Sequence, residues 1–297
     1  MHCKKRRLHV WNWFDCLNAI FMTLFCISII FPFWDMIVRS LSDPYGATNL
    51  KLMLWPENFT LSAYKFVLSD DKILRAFAVT LARTVIGTLL SLTVTILAAY
   101  SLSKRDLPGR KVITMLFLIP MFFTGGIIPS YLINRSLGFV DNFLVYVLPA
   151  AINIYNIVLA RNYFMSLDKS LEESAFVDGA GYGTILLKIV VPISKPIIAT
   201  LALWVAVSHW NSWMDCMMYI RDENLIVVQM LLRRMLDLTQ TQNEQMQMFM
   251  LSEGNGNITN ASVRMATTII TVVPIMLVYP FLQKYFVKGI MVGSLKG

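Results

Sequence analysis

Six apolar runs, each close to the length that crosses a bilayer, govern what this chain can fold into. A hydrocarbon core of roughly 30 Å takes about 20 residues of helix at 1.5 Å per residue. Runs of that kind occupy 17–38, 76–102, 112–133, 143–163, 197–219 and 265–287. Lipid offers no partner for open backbone groups, so each run is expected to be a helix. The expected fold is an all-α membrane protein with six transmembrane helices, one domain over 17–297 behind a short N-terminal segment, 1–16. Only 15% of the residues are charged, against roughly 25% in a soluble domain.

Lys4, Lys5, Arg6 and Arg7 precede the first run as they would in a signal peptide. That run is too long, holds Pro32 and Asp35 and shows no small-residue cleavage site, which makes it an uncleaved anchor. With the N-terminus inside, 15 of the 26 Lys and Arg fall on the cytoplasmic side with six of the 18 Asp and Glu. The excess of basic charge is then almost wholly cytoplasmic, as the positive-inside rule requires. The reading is a multi-pass protein of the bacterial cell membrane with both termini cytoplasmic. Topology accounts for the net charge of +8, and no basic cluster interleaves with exposed aromatics, so nucleic acid is excluded as a partner. The four cysteines show no CxxC and no histidine at ligand spacing, so no metal site is expected.

Two long outer loops, 39–75 and 221–263, are too polar for lipid and too long for connectors. Thr60 is placed to cap a short helix in the first. The second ends in the turn-forming run Ser252-Glu253-Gly254-Asn255-Gly256-Asn257.

A charged, Gly-punctuated stretch over 167–196 is expected on the cytoplasmic side. Ser170 and Glu173 have capping-box spacing, predicting a helix over 170–178 that stops at the glycine turn 179–183. A second short helix, 184–189, is expected to end at Pro192. Ala175, Phe176 and Gly179 form a small apolar knob rimmed by Glu173 and Asp178, a shape that a groove on a soluble subunit can grip.

No GxxxxGK[ST] loop occurs, and Gly179-Ala180-Gly181-Tyr182-Gly183-Thr184 lacks the last glycine of GxGxxG, so the chain carries no ATP site of its own. An ion-coupled carrier would bury relay residues deep in its helices. Here the deep ionisable residues are Arg83, His209, Asp35 and Asp215, three of them near a boundary. For a transported solute, Trp204, Trp210, His209 and Asn211 offer stacking faces and hydrogen bonds of the kind that hold sugar rings, though Trp210 lies near the outer interface, where an aromatic belt is the better account of it. Asn153 and Asn156, three apart, either line a pathway or bond between helices. Pro120, Gly125, Gly126 and Pro129 point to unwinding or close packing in the third run.

The run Glu173-Ser174-Ala175-Phe176-Val177-Asp178-Gly179-Ala180, with Pro192 and Pro196 beyond it, resembles the EAA motif of permease subunits of binding-protein-dependent ABC importers; Ser174 stands where alanine is usual. The Arg105-Asp106-Leu107-Pro108-Gly109-Arg110 loop and the terminal Val292-Gly293-Ser294-Leu295-Lys296-Gly297 are similar to the maltose-type carbohydrate permeases, in the subunit with a Lys-Gly tail. The resemblance implies a type I ABC importer permease fold with a cytoplasmic coupling helix, and a non-catalytic subunit. Its partners would be a second homologous permease in a heterodimer, two ABC ATPase subunits that carry the ATP and magnesium, and an extracellular solute-binding lipoprotein that delivers an oligosaccharide. Glu173, Ser174, Ala175, Asp178, Gly179 and Ala180 would couple to the ATPase, with Ser294, Lys296 and Gly297 as a further contact. Gly254, Asn255, Gly256 and Asn257 would meet the binding protein. The alternatives are an ABC permease for a non-sugar solute and an ion-coupled carrier.

Overall fold

The computed structural model describes residues 12–43, 53–123, 125–237 and 259–294, with side chains in the last segment to residue 278. The described residues are mostly helical and include no strand. They fall into two units, 1–67 with 238–269 and 68–237 with 270–297.

In the first unit, α1 (Trp13–Ser40) is 28 residues long and leaves almost its whole apolar surface uncovered, burying only Val38 and Ser40. A helix so apolar and so exposed belongs in lipid. Its end is pinned by Asp35, which accepts from Arg39 Nε at 2.7 Å, and by Trp34 Nε1 donating to Leu54 O at 3.0 Å. α2 (Ser62–Ser69) starts one residue later than a Thr60 cap requires: Leu61 O accepts from Lys65 N at 2.9 Å, and Thr60 Oγ1 accepts from Ser62 N at 3.2 Å in the turn that leads in.

In the second unit, α3 (Asp71–Ser103) is the axis. Asp70 caps it by accepting from Lys72 N at 2.8 Å. Its buried face runs Thr80, Arg83, Gly87, Ser91, Thr95 and Ala99 at spacings of three and four, small residues that let neighbours approach closely in a membrane. Next come α4 (Arg110–Phe122) and α5 (Ile127–Ser136), then α6 (Ile154–Met165), α7 (Ser170–Val177) and α8 (Tyr182–Ile193). α9 (Lys195–Asn211), α10 (Met214–Tyr219), α11 (Val228–Leu236) and α12 (Asn260–Ser294) complete the order. α6 and α9 pack along α3.

Among the described residues, three helices are long and apolar enough to cross a membrane, and two bent pairs, α4 with α5 and α8 with α9, raise the total to five. The run 112–133 is interrupted after Phe122, where Gly126 takes φ +84 beyond Pro120. The run 143–163 is not one helix. A 3-10 turn, Phe143–Tyr146, is capped by Asn142, and α6 starts only at Ile154, where Asn153 Oδ1 accepts from Asn156 N at 3.1 Å. Pro149, without an N–H, lies between. The run 197–219 likewise breaks at residues 212–213 before α10.

The segment 167–196 also differs in detail. Ser170 is the first helical residue of α7, not its cap: its N–H is taken by Asp168 Oδ1 at 3.0 Å, so the capping box does not form. Pro192 does not end the second helix, which runs from Tyr182 to Ile193 through a wide π turn at Leu186–Val190. The wider turn absorbs the donor that proline lacks. The break comes two residues later, at Ser194, with an 83° bend into α9.

Candidate functional site

Two places in the second unit carry functional geometry: the α7–α8 corner and a polar cavity between α3, α6 and α9.

At the corner the chain leaves α7 through Asp178 and turns at Gly179, φ +80. Ala180 N donates to Ala175 O at 2.9 Å and Gly179 N to Phe176 O at 3.0 Å, the two bonds of a Schellman motif. A left-handed C′ position favours glycine because any Cβ meets its own backbone there; no other atom lies within 4 Å of a Cβ built at Gly179. Ala175 and Ala180 are small because they make the apolar contact that seals the motif, packed with Tyr100, Leu102, Phe164 and Ile185. Ala175 is therefore not part of the outward knob. That knob is Phe176 and Val177, the latter 88% exposed, with Tyr182 edge-on to Phe176 at 5.0 Å. Glu173, Ser174 and Asp178 are exposed around it, and Ser174 Oγ spends its proton on Ser170 O at 2.8 Å.

The corner is tied to α3 by Lys104, which pairs with Glu172 and lies 4.0 Å over the Tyr100 ring and 6.0 Å from that of Tyr182. Arg161 Nε donates to Leu102 O at 3.0 Å, satisfying one of the last carbonyls of α3. Neither residue stood out in the sequence; the available signal was a basic residue just past a helix end.

The cavity has a volume of about 390 Å³. Of the residues expected along a substrate path, Asn153, Asn156, Trp204 and His209 line it. Trp210 and Asn211 stand outside it. Trp210 is buried and donates to Thr271 O at 3.0 Å, and Asn211 Oδ1 accepts from Gln229 Nε2 at 3.3 Å. The irregular chain before α6 supplies Ala150, Ile152 and Asn153 to the wall, so non-helical backbone occurs where it borders a cavity and not lipid. A Cβ at Gly87 would lie 2.5 Å from His209 Nε2 and 2.6 Å from Cε1; only glycine lets that imidazole rest against α3.

The wall also holds a pair that sequence reasoning placed near a boundary. Arg83 is 1% exposed and forms a two-pronged ion pair with Asp215, NH1 reaching Oδ1 at 3.2 Å. NH1 also donates to Ser212 O at 3.3 Å, and the guanidinium lies 4.4 Å over the Tyr146 ring. Asp215 Oδ1 accepts in addition from Ser212 Oγ at 3.0 Å and Cys216 N at 2.9 Å. Among the described residues no group of His, Cys, Asp and Glu could hold a metal ion. Ser294 is the last described residue of α12, while Lys296, Gly297, Gly254, Asn255, Gly256 and Asn257 lie outside the described residues.

A family model described as the binding-protein-dependent transport system inner membrane component matches residues 87–292. The polygalacturonan/rhamnogalacturonan transport system permease protein YtcP of Bacillus subtilis (strain 168) is 38% identical over 285 residues, covering 96% of this chain and 98% of that protein. A chain in the crystal structure of a bacterial ABC transporter involved in import of the acidic polysaccharide alginate is similar at 33% identity, with a TM-score of 0.86 over 94% of this chain and 100% of its own. In a bacterial alginate ABC transporter crystallised with its pentasaccharide-bound periplasmic protein, a second chain shares the fold at 16% identity and a TM-score of 0.58, over 90% of this chain and 92% of its own.

Proposed function

The chain belongs to the family of binding-protein-dependent transport system inner membrane components, and from that premise we propose that it forms half of the path for an oligosaccharide. The other half is a second, homologous permease, and two ATPase subunits seat on the α7–α8 corner from the cytoplasm. An extracellular binding protein delivers the sugar, consistent with the complex named for the alginate relative. The uronate-rich polysaccharides named for the relatives support an oligosaccharide over a monosaccharide. Both termini are cytoplasmic in this reading, and the C-terminal residues Ser294, Lys296 and Gly297 add a second ATPase contact.

The observation that carries the proposal is the Schellman corner. It holds an apolar tip, Phe176 and Val177, proud of the surface between the exposed carboxylates Glu173 and Asp178. Closure of the ATPases on ATP then moves the corner as a body and shifts the permease between inward-facing and outward-facing states. The shift requires that ATP bind one state more tightly than the other.

The test is Gly179→Val. The backbone cost of a β-branched residue in the left-handed region, of order 1–2 kcal/mol, unseats the corner without a collision elsewhere, and the ATPases should no longer copurify with the membrane subunits. Gly179→Asn, which tolerates that conformation, should retain them. Full uptake and intact copurification in Gly179→Val would overturn the proposal.

A further inference from the structure

The cavity is within the roughly 300–1,000 Å³ range of small-molecule sites, and its wall contains polar groups that the protein itself does not use. Asn156 and His209 are 5% and 4% exposed, and neither side chain has a hydrogen-bond partner among the described residues. The hydroxyl of Ser91 is likewise buried and unpaired in the same wall. Of these only the Ser91 hydroxyl is wholly shut off from solvent; the Asn156 and His209 side chains border the cavity, so what fills it must satisfy them. Trp204 adds a ring that is 38% exposed, with Tyr155 beside it at 6.3 Å.

The charge of the wall is already settled internally. Arg83 spends its outer nitrogens on Asp215 and Ser212 O, and Asp215 Oδ1 takes three donors. The outer edge of the guanidinium is thus occupied, and only its Nε, shut off from solvent, lacks a partner. The positive end of α6 is also partly quenched, because Asn153 caps it by accepting from Asn156 N. The free groups offer both donors and acceptors. That set matches hydroxyls, which are both, and mismatches a carboxylate, which only accepts and would leave the acceptors unpaired.

We infer that this cavity is a subsite for an uncharged, hydroxyl-rich sugar ring, with Asn156, His209 and Ser91 bonding its hydroxyls and Trp204 stacking on its face. The inference rests on the reading of the chain as an oligosaccharide permease. It adds that this subunit grips a neutral unit of the glycan, such as a deoxy sugar or an ester-masked uronate, and not a free acid.

The experiment is equilibrium dialysis of two trigalacturonates, one fully methyl-esterified and one with free carboxylates, against the whole permease–ATPase complex in nanodiscs without binding protein. The ester should bind about five-fold or more tighter than the acid. Asn156→Ala should weaken the ester by about five-fold, the effect of one lost neutral hydrogen bond. Asp215→Asn, which frees Arg83, should shift the preference toward the acid; if that variant fails to assemble, Asn156→Ala decides alone. Tighter binding of the free acid by the wild type, an ester affinity unmoved by Asn156→Ala, or binding of neither probe would each overturn the inference. None of these outcomes bears on ATPase copurification, by which the permease reading is judged.

Discussion

Among the ion pairs made by α3 and its C-cap residue Lys104, the pairs of Arg83 and of Lys104 do different work. Arg83 and Asp215 meet at 1% and 24% exposure and Lys104 and Glu172 at 18% and 24%, so the pairs differ at the cation: that of Arg83 is shut off from water and that of Lys104 is within its reach. In a low dielectric a charge that loses its partner cannot be rehydrated, so the deep pair is needed complete or not at all. Near the surface water replaces a lost partner cheaply, so the shallow pair contributes little stability and chiefly fixes where the α7–α8 corner sits. One pair makes the cavity neutral; the other fastens the corner to the helix that borders the cavity.

The largest expected effect follows from breaking the deep pair on one side. Asp215→Ala should cost about 3–5 kcal/mol, the range for an orphaned buried charge, read as a collapse in the thermal midpoint of the purified protein. Replacing both partners, Arg83→Met with Asp215→Leu, should recover most of that loss. If Asp215→Ala melts within about 1 kcal/mol of wild type, the two pairs are not different in kind.

The shallow pair predicts a smaller effect of another sort. Lys104→Glu should change stability by no more than about 1 kcal/mol yet reduce ATPase copurification, because the corner loses its tie to α3. Exchanging the charges, Lys104→Glu with Glu172→Lys, should restore copurification. A thermal shift with unchanged copurification would make the pair merely structural.

The corner was legible in the sequence and the cavity was only half so, for a physical reason. Gly179, Ala175 and Ala180 are read by local rules: a left-handed cap and a contact five residues apart lie within two turns. What local rules missed there was direction, since the same spacing that marks Ala175 as small does not tell that it faces inward. The apolar runs at 17–38, 76–102 and 265–287 gave α1, α3 and α12 because hydropathy and helix length coincide in them. The run 143–163 failed because hydropathy averages over a window, and Asn142, Pro149 and Asn153 end helices individually without making the window polar. Asn153 and Asn156 were noticed as polar residues in an apolar run, and the first turned out to be a cap that also borders the cavity. Arg83 and Asp215 are 132 residues apart, so nothing in the sequence announces that they meet.

A third tie sharpens the comparison from the exposed extreme. Asp141, at φ +53, joins the turn before the Phe143–Tyr146 segment to the strap after α10. Its N–H donates to Tyr219 O at 2.9 Å, and its Oδ1 accepts from Asp222 N at 3.0 Å and from Arg221 N. Those two backbone donors hold its carboxyl below the ordinary aspartate value of 3.8. A depressed folded value means that the tie is fully present above the unfolded value and is lost as pH falls through the folded one. Protection of the Arg221 and Asp222 amides, corrected for intrinsic exchange, should therefore hold near neutral pH and drop a few-fold in acid well below pH 4. Asp141→Asn keeps an acceptor and tolerates the positive φ, so it should abolish the pH dependence while leaving the turn folded. Protection that falls in acid equally in both proteins would show that the carboxylate is not what holds the strap.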